Sequence, residues 1–178
     1  MEINALPLKL TQEDAVDIAK KGRGSFLSKL LLMKKDAHEV RLHYIEFKLV
    51  TIEIRYNKSG FRKSNKHDKT HIIKILINGS TGSGSVVNDV PKVIKVKNIN
   101  RDIVQYSDKD ESRVRGKANK MAMRITHRFM GGVPDIKIIN IESFFRPYWV
   151  VFFGEVKANN RVSYMPVEAD GFVINRGF

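Results

Sequence analysis

The spacing of apolar and polar residues changes several times along the chain, and each change marks a candidate element. Residues 1–10 read as extended. Thr11-Gln12-Glu13-Asp14 then supplies an N-cap with acids in the first turn, Ala15, Val16, Ile18 and Ala19 an apolar face, and Lys20-Lys21-Gly22 a stop. Ser25 caps a second expected helix running through Phe26, Leu27, Leu30, Leu31 and Met33 to Lys34-Lys35. From Val40 the period falls to two, and Leu49 to Tyr56 alternates Ile52, Ile54 and Tyr56 with Thr51, Glu53 and Arg55. This predicts a long strand with one wet face and a bend or bulge at Glu46. A polar connection leads to a second strand from about Thr70 to Ile77. Next come a turn over Asn78 to Ser85 and a short strand at Val93 to Val96.

Asp108, Asp110 and Glu111 open the longest expected helix, which ends at Gly131-Gly132. Val114, Ala118, Met121, Ala122, Ile125 and Phe129 fall within roughly a 100° arc on its wheel, the width of a core-facing stripe. A strand from Ile136 to Ile141 leads into the richest apolar segment, Phe144 to Gly154, which holds the single Trp and no acid. Alternation sends Phe145, Pro147, Trp149, Val151 and Phe153 to one face and Phe144, Arg146, Tyr148, Val150 and Phe152 to the other. Both faces therefore need cover, and the long helix is the expected cover for one. After a turn at Lys157-Ala158-Asn159-Asn160, Val162 to Val173 completes a β-hairpin.

The two halves of the chain follow one order. Tyr44 and Phe47 lead into the first β-branched strand as Phe145 and Tyr148 lead into the second, and each partner strand ends in a Gly-containing turn, Asn78-Gly79 or Asp170-Gly171. The pattern predicts an α+β fold of two related helix-plus-antiparallel-sheet units, residues 1–100 and 101–178, packed together because neither has much core alone. Leu10 to Lys20 resembles the helix that begins PepSY-type domains, and Pro147-Tyr148-Trp149-Val150-Val151 with the Asp170-Gly171 turn resembles their strand pair. The resemblance covers about two-thirds of the chain and implies a non-enzymatic regulatory or inhibitory domain. Such domains are often exported or membrane-tethered. This chain departs from them in its unusually basic helix.

Composition narrows the classes. With 42% hydrophobic residues in 178, the chain can build a sizeable core, and the absence of cysteine removes disulfides, thiolate metal sites and thiol nucleophiles. Met1 to Leu10 lacks a basic start and an apolar core of signal length, and no apolar run reaches membrane-spanning length. The expected location is the cytoplasm, or an assembly formed from cytoplasmic protein.

Charge changes the picture most. Thirty-two Lys+Arg against 19 Asp+Glu give a net charge of +13, a surplus that favours polyanions through counterion release. Arg113, Lys117, Lys120, Arg124, His127 and Arg128 lie within about 60° of one direction on the long helix, with no acid between Ser112 and Met130. Cations one turn apart cannot neutralise each other and suit a line of phosphates. The connection from Arg55 to His71 adds Lys58, Arg62, Lys63, Lys66 and Lys69, with Tyr56 and Phe61 interleaved. The alternative for both is a solvated face.

No catalytic constellation is found. Gly79 to Ser85 lacks the Gly-Lys-Ser/Thr of a phosphate loop, and Val86 and Val87 stand where a dinucleotide fingerprint needs glycine. His38, Glu39 and His43 have the wrong spacing for a zinc protease, and acids at a helix start are accounted for by its dipole. The leading reading is a non-enzymatic interaction or structural module with no metal or cofactor. It docks on a protein partner or on its own copies through the sheet (Tyr148, Trp149, Phe152) or through its basic face. The alternative is a nucleic-acid or other polyanion binder using the basic helix 109–130 and the loop 55–71.

Overall fold

The computed structural model describes residues 1–22, 37–56, 69–129, 134–156 and 162–174. The expected helix from Ser25 to Lys35, most of the basic connection with Arg62, Lys63 and Lys66, and the turn Lys157 to Asn160 lie outside them. Within them the chain forms β1 (Ile3–Ala5), α1 (Gln12–Gly22), β2 (Ala37–Tyr56), β3 (Lys69–Asn78), β4 (Gly84–Val87) and β5 (Ile94–Val96). A 3-10 turn (Arg101–Ile103), β6 (Val104–Gln105), α2 (Glu111–Phe129), β7 (Asp135–Phe153) and β8 (Ser163–Glu168) follow. The class is α+β. The sheet is mixed, in the order β4-β3-β2-β7-β1-β5, with β6 added to β2 and β8 to β7. The edge strand β5 carries Lys95 and is flanked by Pro91 and Lys97, residues that discourage pairing with another chain.

The chain divides into two compact units, and each takes segments from either side of residue 100. The first comprises Met1–Ile45, Pro91–Gln105 and Phe145–Phe172, and the second Glu46–Val90, Tyr106–Phe144 and Val173–Phe178.

In the first unit, α1 starts with a reciprocal cap. The Asp14 amide donates to Thr11 Oγ1 at 3.2 Å, and Thr11 Oγ1 donates to Asp14 Oδ2 at 2.7 Å. Ala15 and Ala19 are fully buried and, with Val16, pack on Trp149, Val151 and Phe153 of β7 and Val167 of β8. Small residues on the helix let it come close to large aromatic ones on the strand. The cover of the Trp149 face is thus α1, where the sequence pattern gave the long helix as cover for one face without saying which. Trp149 fixes the contact by donating its indole N–H to the Leu10 carbonyl at 2.8 Å. A separate cluster joins Ile3, Ala5, Tyr44 and Phe145. It is assembled where β1 meets β7 in parallel at Ala5 and Phe145, and β6 meets β2 in parallel at Val104 and Tyr44.

The first unit also encloses an ion pair. Arg146 and Asp170 are both 0% exposed. Arg146 Nε donates to Asp170 Oδ2 at 2.6 Å and Nη2 donates to Oδ1 at 2.9 Å, a bidentate geometry. Nη2 also reaches the Phe172 carbonyl at 3.0 Å and Glu168 Oε2 at 3.2 Å, while the guanidinium lies over the Phe172 and Tyr148 rings. Gly171 makes this possible. Its φ of 66° turns the chain so that Asp170 points inward and accepts the Phe172 amide at 2.8 Å. Burial acts most strongly on Arg146 and against its charge, but the bond to Asp170 together with the field of Tyr148, Asp170 and Glu168 outweighs it and holds the guanidinium more firmly protonated.

In the second unit, α2 lies on an antiparallel sheet. Val114, Ala118 and Ala122 pack against Val50, Ile52 and Ile54 of β2 and Ile75 and Ile77 of β3, with Ile136, Ile138 and Ile141 of β7 alongside. Full burial of each branched side chain contributes about 1.5–3 kcal/mol before entropy is counted. β2 pairs with β3 without interruption from Phe47–Asn78 to Tyr56–Lys69, so the strand carries no bulge on that side beyond Glu46. At the turn, Asn78 Oδ1 accepts the amides of Ser80 and Thr81 at 2.9 Å each.

Removing one member of the buried pair leaves the other charged and dry. Asp170→Asn is expected to cost about 3–5 kcal/mol and lower Tm by roughly 10 °C in thermal denaturation. The double change Arg146→Met with Asp170→Leu should recover most of that loss. A double variant no more stable than Asp170→Asn would show that the pair is not the source of the effect.

Candidate polyanion-binding face

The outer surface of α2 is set by how the helix is held. Asp110 caps it, accepting the Arg113 amide at 2.8 Å and the Ser112 hydroxyl at 2.9 Å, bonds that keep its carboxyl below the ordinary carboxylate range. Asp108 is held low chiefly by the bond from Lys109, and Glu111 pairs with Arg115 four residues on. Asp108, Asp110 and Glu111 thus have separate partners. No group of three or more metal-ligating side chains occurs among the described residues.

Glu46 fastens the start of α2 to the sheet. It is 8% exposed. Its Oε2 accepts the Ser107 amide at 2.8 Å and its Oε1 accepts Lys48 Nζ at 2.6 Å, while Lys48 also donates to Ser143 Oγ at 2.7 Å. The Gly79 amide donates to the Glu46 carbonyl at 2.9 Å, and Ser107 Oγ donates to the Gly79 carbonyl at 3.1 Å. Gly79 has to be glycine here, because a Cβ would stand 2.6 Å from Ser107 Cβ and 2.7 Å from the Glu46 oxygen. Burial pushes the Glu46 carboxyl up, but the bonds from Lys48 and Ser107 outweigh it and hold the group below its ordinary 4.5. The position read as a bend is a polar hub.

With Val114, Ala118 and Ala122 turned to the sheet, Arg113, Lys117, Lys120 and Arg124 are all exposed. They recur at i, i+4, i+7 and i+11, a row about 16 Å long at 1.5 Å per residue. Lys117, Lys120 and Arg124 have no ion-pair partner among the described residues. Exposed His127 continues the row, and the side chain of Arg128 lies outside the described set. Within the row's flank sits Gly116, also exposed.

The aromatic candidates are placed differently. Tyr148 is buried beside Arg146; loss of water raises its phenol well above the usual range, against the lowering pull of the Arg146 charge. Trp149 belongs to the α1 cluster. Phe152 is half-buried, 6.1 Å from the Tyr164 ring and 5.2 Å beneath the Arg41 guanidinium. The exposed aromatic on this hairpin is Tyr164, at 64%. Alternation marks it as facing away from Val167, but the sequence reading passed over it in favour of the denser stretch.

No helix among the described residues is long and apolar enough to cross a membrane. No protein-family model, curated protein or solved structure matches the chain.

A depressed carboxylate contributes stability that is present above its unfolded pKa and lost as pH falls through the folded one. The Glu46 share should therefore disappear below about pH 4.5. Glu46→Gln is expected to lower Tm at pH 7 and to flatten the acid limb of a stability–pH curve. An unchanged acid limb would contradict the assigned role.

Proposed function

We propose that the protein is a non-enzymatic interaction module that docks on a polyanion, with nucleic acid as the partner, through the outer face of α2. One observation carries this reading: Arg113, Lys117, Lys120 and Arg124 stand exposed in a single row on a helix whose opposite side is locked into the core. The row, of which Lys117, Lys120 and Arg124 have no ion-pair partner among the described residues, attracts a line of phosphates and gains from the counterions that it releases. The chain's +13 charge adds a long-range field of the same sign.

We read the architecture behind this face as a duplication of one PepSY-like helix-and-hairpin unit, with the helices exchanged. Three correspondences support it. Phe47 pairs with Asn78 as Tyr148 pairs with Glu168. The Gly79 amide bonds the Glu46 carbonyl at 2.9 Å, as the Ala169 amide bonds the Pro147 carbonyl at 2.9 Å. A short parallel strand meets each leading aromatic, β6 at Tyr44 and β1 at Phe145. On this reading α1 lies on the hairpin of the later copy and α2 on that of the earlier one. The copies then differ in use, since both helices open with acids but α2 alone goes on to present the row Arg113, Lys117, Lys120 and Arg124.

Titration of a fluorescent 25-base-pair duplex with the full chain tests the proposal. Four phosphate contacts predict a slope of about −3 to −4 in log K against log salt, close to a 100-fold loss between 50 and 200 mM. Lys117→Glu with Lys120→Glu and Arg124→Glu should abolish binding while leaving Tm within a few degrees. Binding that ignores those substitutions would overturn the assignment.

A second reading has its own observation. Ile72 and Ile139 lie on sheet strands of the second unit at 61% and 50% exposure, a surface on which a protein partner or second copy could dock. On our assignment the free protein runs as a monomer by light scattering. A dimer dissolved by Ile72→Glu would move the docking surface to the sheet.

A further inference from the structure

Gly116 occupies the interior of α2, where glycine is the least favourable residue apart from proline because it surrenders the most backbone freedom. The usual reasons for retaining one are absent. Its backbone is helical, and it is not among the glycines with positive φ, which among the described residues are Gly82, Gly154 and Gly171. Nothing among the described residues crowds it either. A Cβ built there meets no atom within 4 Å, in contrast to Gly79, where it meets backbone at 2.7 Å. A glycine that the fold does not require is explained if something outside the chain comes close to the helix at that point.

Its neighbours identify the chemistry. On a helical surface position 116 borders Arg113, three residues before it, and Lys120, four residues after it, with Lys117 adjacent. The charged side chains that border the gap, Arg113 and Lys120, are both cationic and its other surface neighbours, Ser112 and Asn119, are neutral, so the approaching group is anionic. No aromatic residue occurs between Glu111 and His127, so the face has no ring on which an unpaired base could stack. What such a surface can grip is a phosphate backbone carried on the outside of a paired helix.

We infer that α2 lies flush along the sugar-phosphate backbone of duplex nucleic acid, with Gly116 at the point of closest approach, and that it binds without reading base sequence. The inference rests on the polyanion reading above and adds the partner's form and the contact point. The missing side chain lets the helix backbone near the strand, while Arg113, Lys117, Lys120 and Arg124, which run along one flank of Gly116, reach successive phosphates. The acids Asp108, Asp110 and Glu111 lie at the helix start, so the contact extends from Gly116 toward Arg124.

The test separates proximity from charge. Gly116→Ala and Gly116→Gln retain every cation, and the open space at 116 accommodates both side chains. Both variants should fold, with Gly116→Ala showing a higher Tm than the parent chain. Yet duplex affinity should fall several-fold for alanine and at least tenfold for glutamine, with the salt slope unchanged. Lys117→Gln serves as the contrast, reducing the slope by about 0.9. Parallel titrations use a scrambled duplex, a single strand of the same length and phosphatidylserine vesicles. Equal affinity for both duplexes and weaker binding to the other two is expected. If Lys117→Gln behaves as stated but both Gly116 variants bind like the parent, close approach is refuted and the basic face stands. If the parent binds single strands or vesicles more tightly than duplex, the assignment of a duplex is refuted. No binding to any of the three overturns the polyanion reading itself.

Discussion

A guanidinium and a carboxylate, both fully withdrawn from water, hold the late hairpin in place. Stripping water from either ion costs several kcal/mol, and only a partner in good geometry offsets it. Arg146 therefore has to be met by Asp170, and that requirement fixes where the chain goes after β8. Gly171 turns, Asp170 points inward and the Phe172 carbonyl closes on the same guanidinium. With the end of the hairpin pinned, the Ala169 carbonyl is available to the amides of Lys9 and Leu10, which sets α1 down on Trp149, Val151 and Phe153. Trp149 and Phe153 are consumed in this packing.

The second unit uses the same device more gently. Glu46 is paired and nearly buried, and it fastens the segment before α2 to the turn after β3. The helix is thereby presented with its small residues down and its cations out. Its placement follows from sterics and hydrogen bonding, and its outer composition is left without a structural task. That division of labour is why the basic row, and not the aromatic hairpin, is the surface we assign to recognition.

Much of this was legible in the order of residues. The bounds of α2, the merging of Ile136 to Ile141 with the aromatic strand and the turn at Asn78 follow from local period and turn chemistry, and they appear where the pattern puts them. Which helix covers Trp149 does not follow, because local periodicity gives a face to cover and not the element that covers it. The long helix was the nearer candidate in sequence, but α1 supplies Ala15 and Ala19, small enough to sit on an indole. The Arg146–Asp170 pair spans 24 residues and was hidden by two separate readings, one of a strand residue and one of a turn residue. A signal existed: a lone arginine in an acid-free apolar stretch requires a counter-ion, and Asp170 in the partner run is well placed to be one. Glu46 carried the same signal, since an acid amid Tyr44, Phe47 and Leu49 has to be paired if it is buried.

The most direct test of the docking assignment maps the contact without altering any residue. Amide hydrogen exchange of the full chain, free and saturated with a short duplex at low salt, should show added protection on α2, strongest between Arg113 and Arg124. The peptides covering β7 and β8 should be unchanged. Protection on the aromatic hairpin or the sheet strands, with α2 unaffected, would contradict the account.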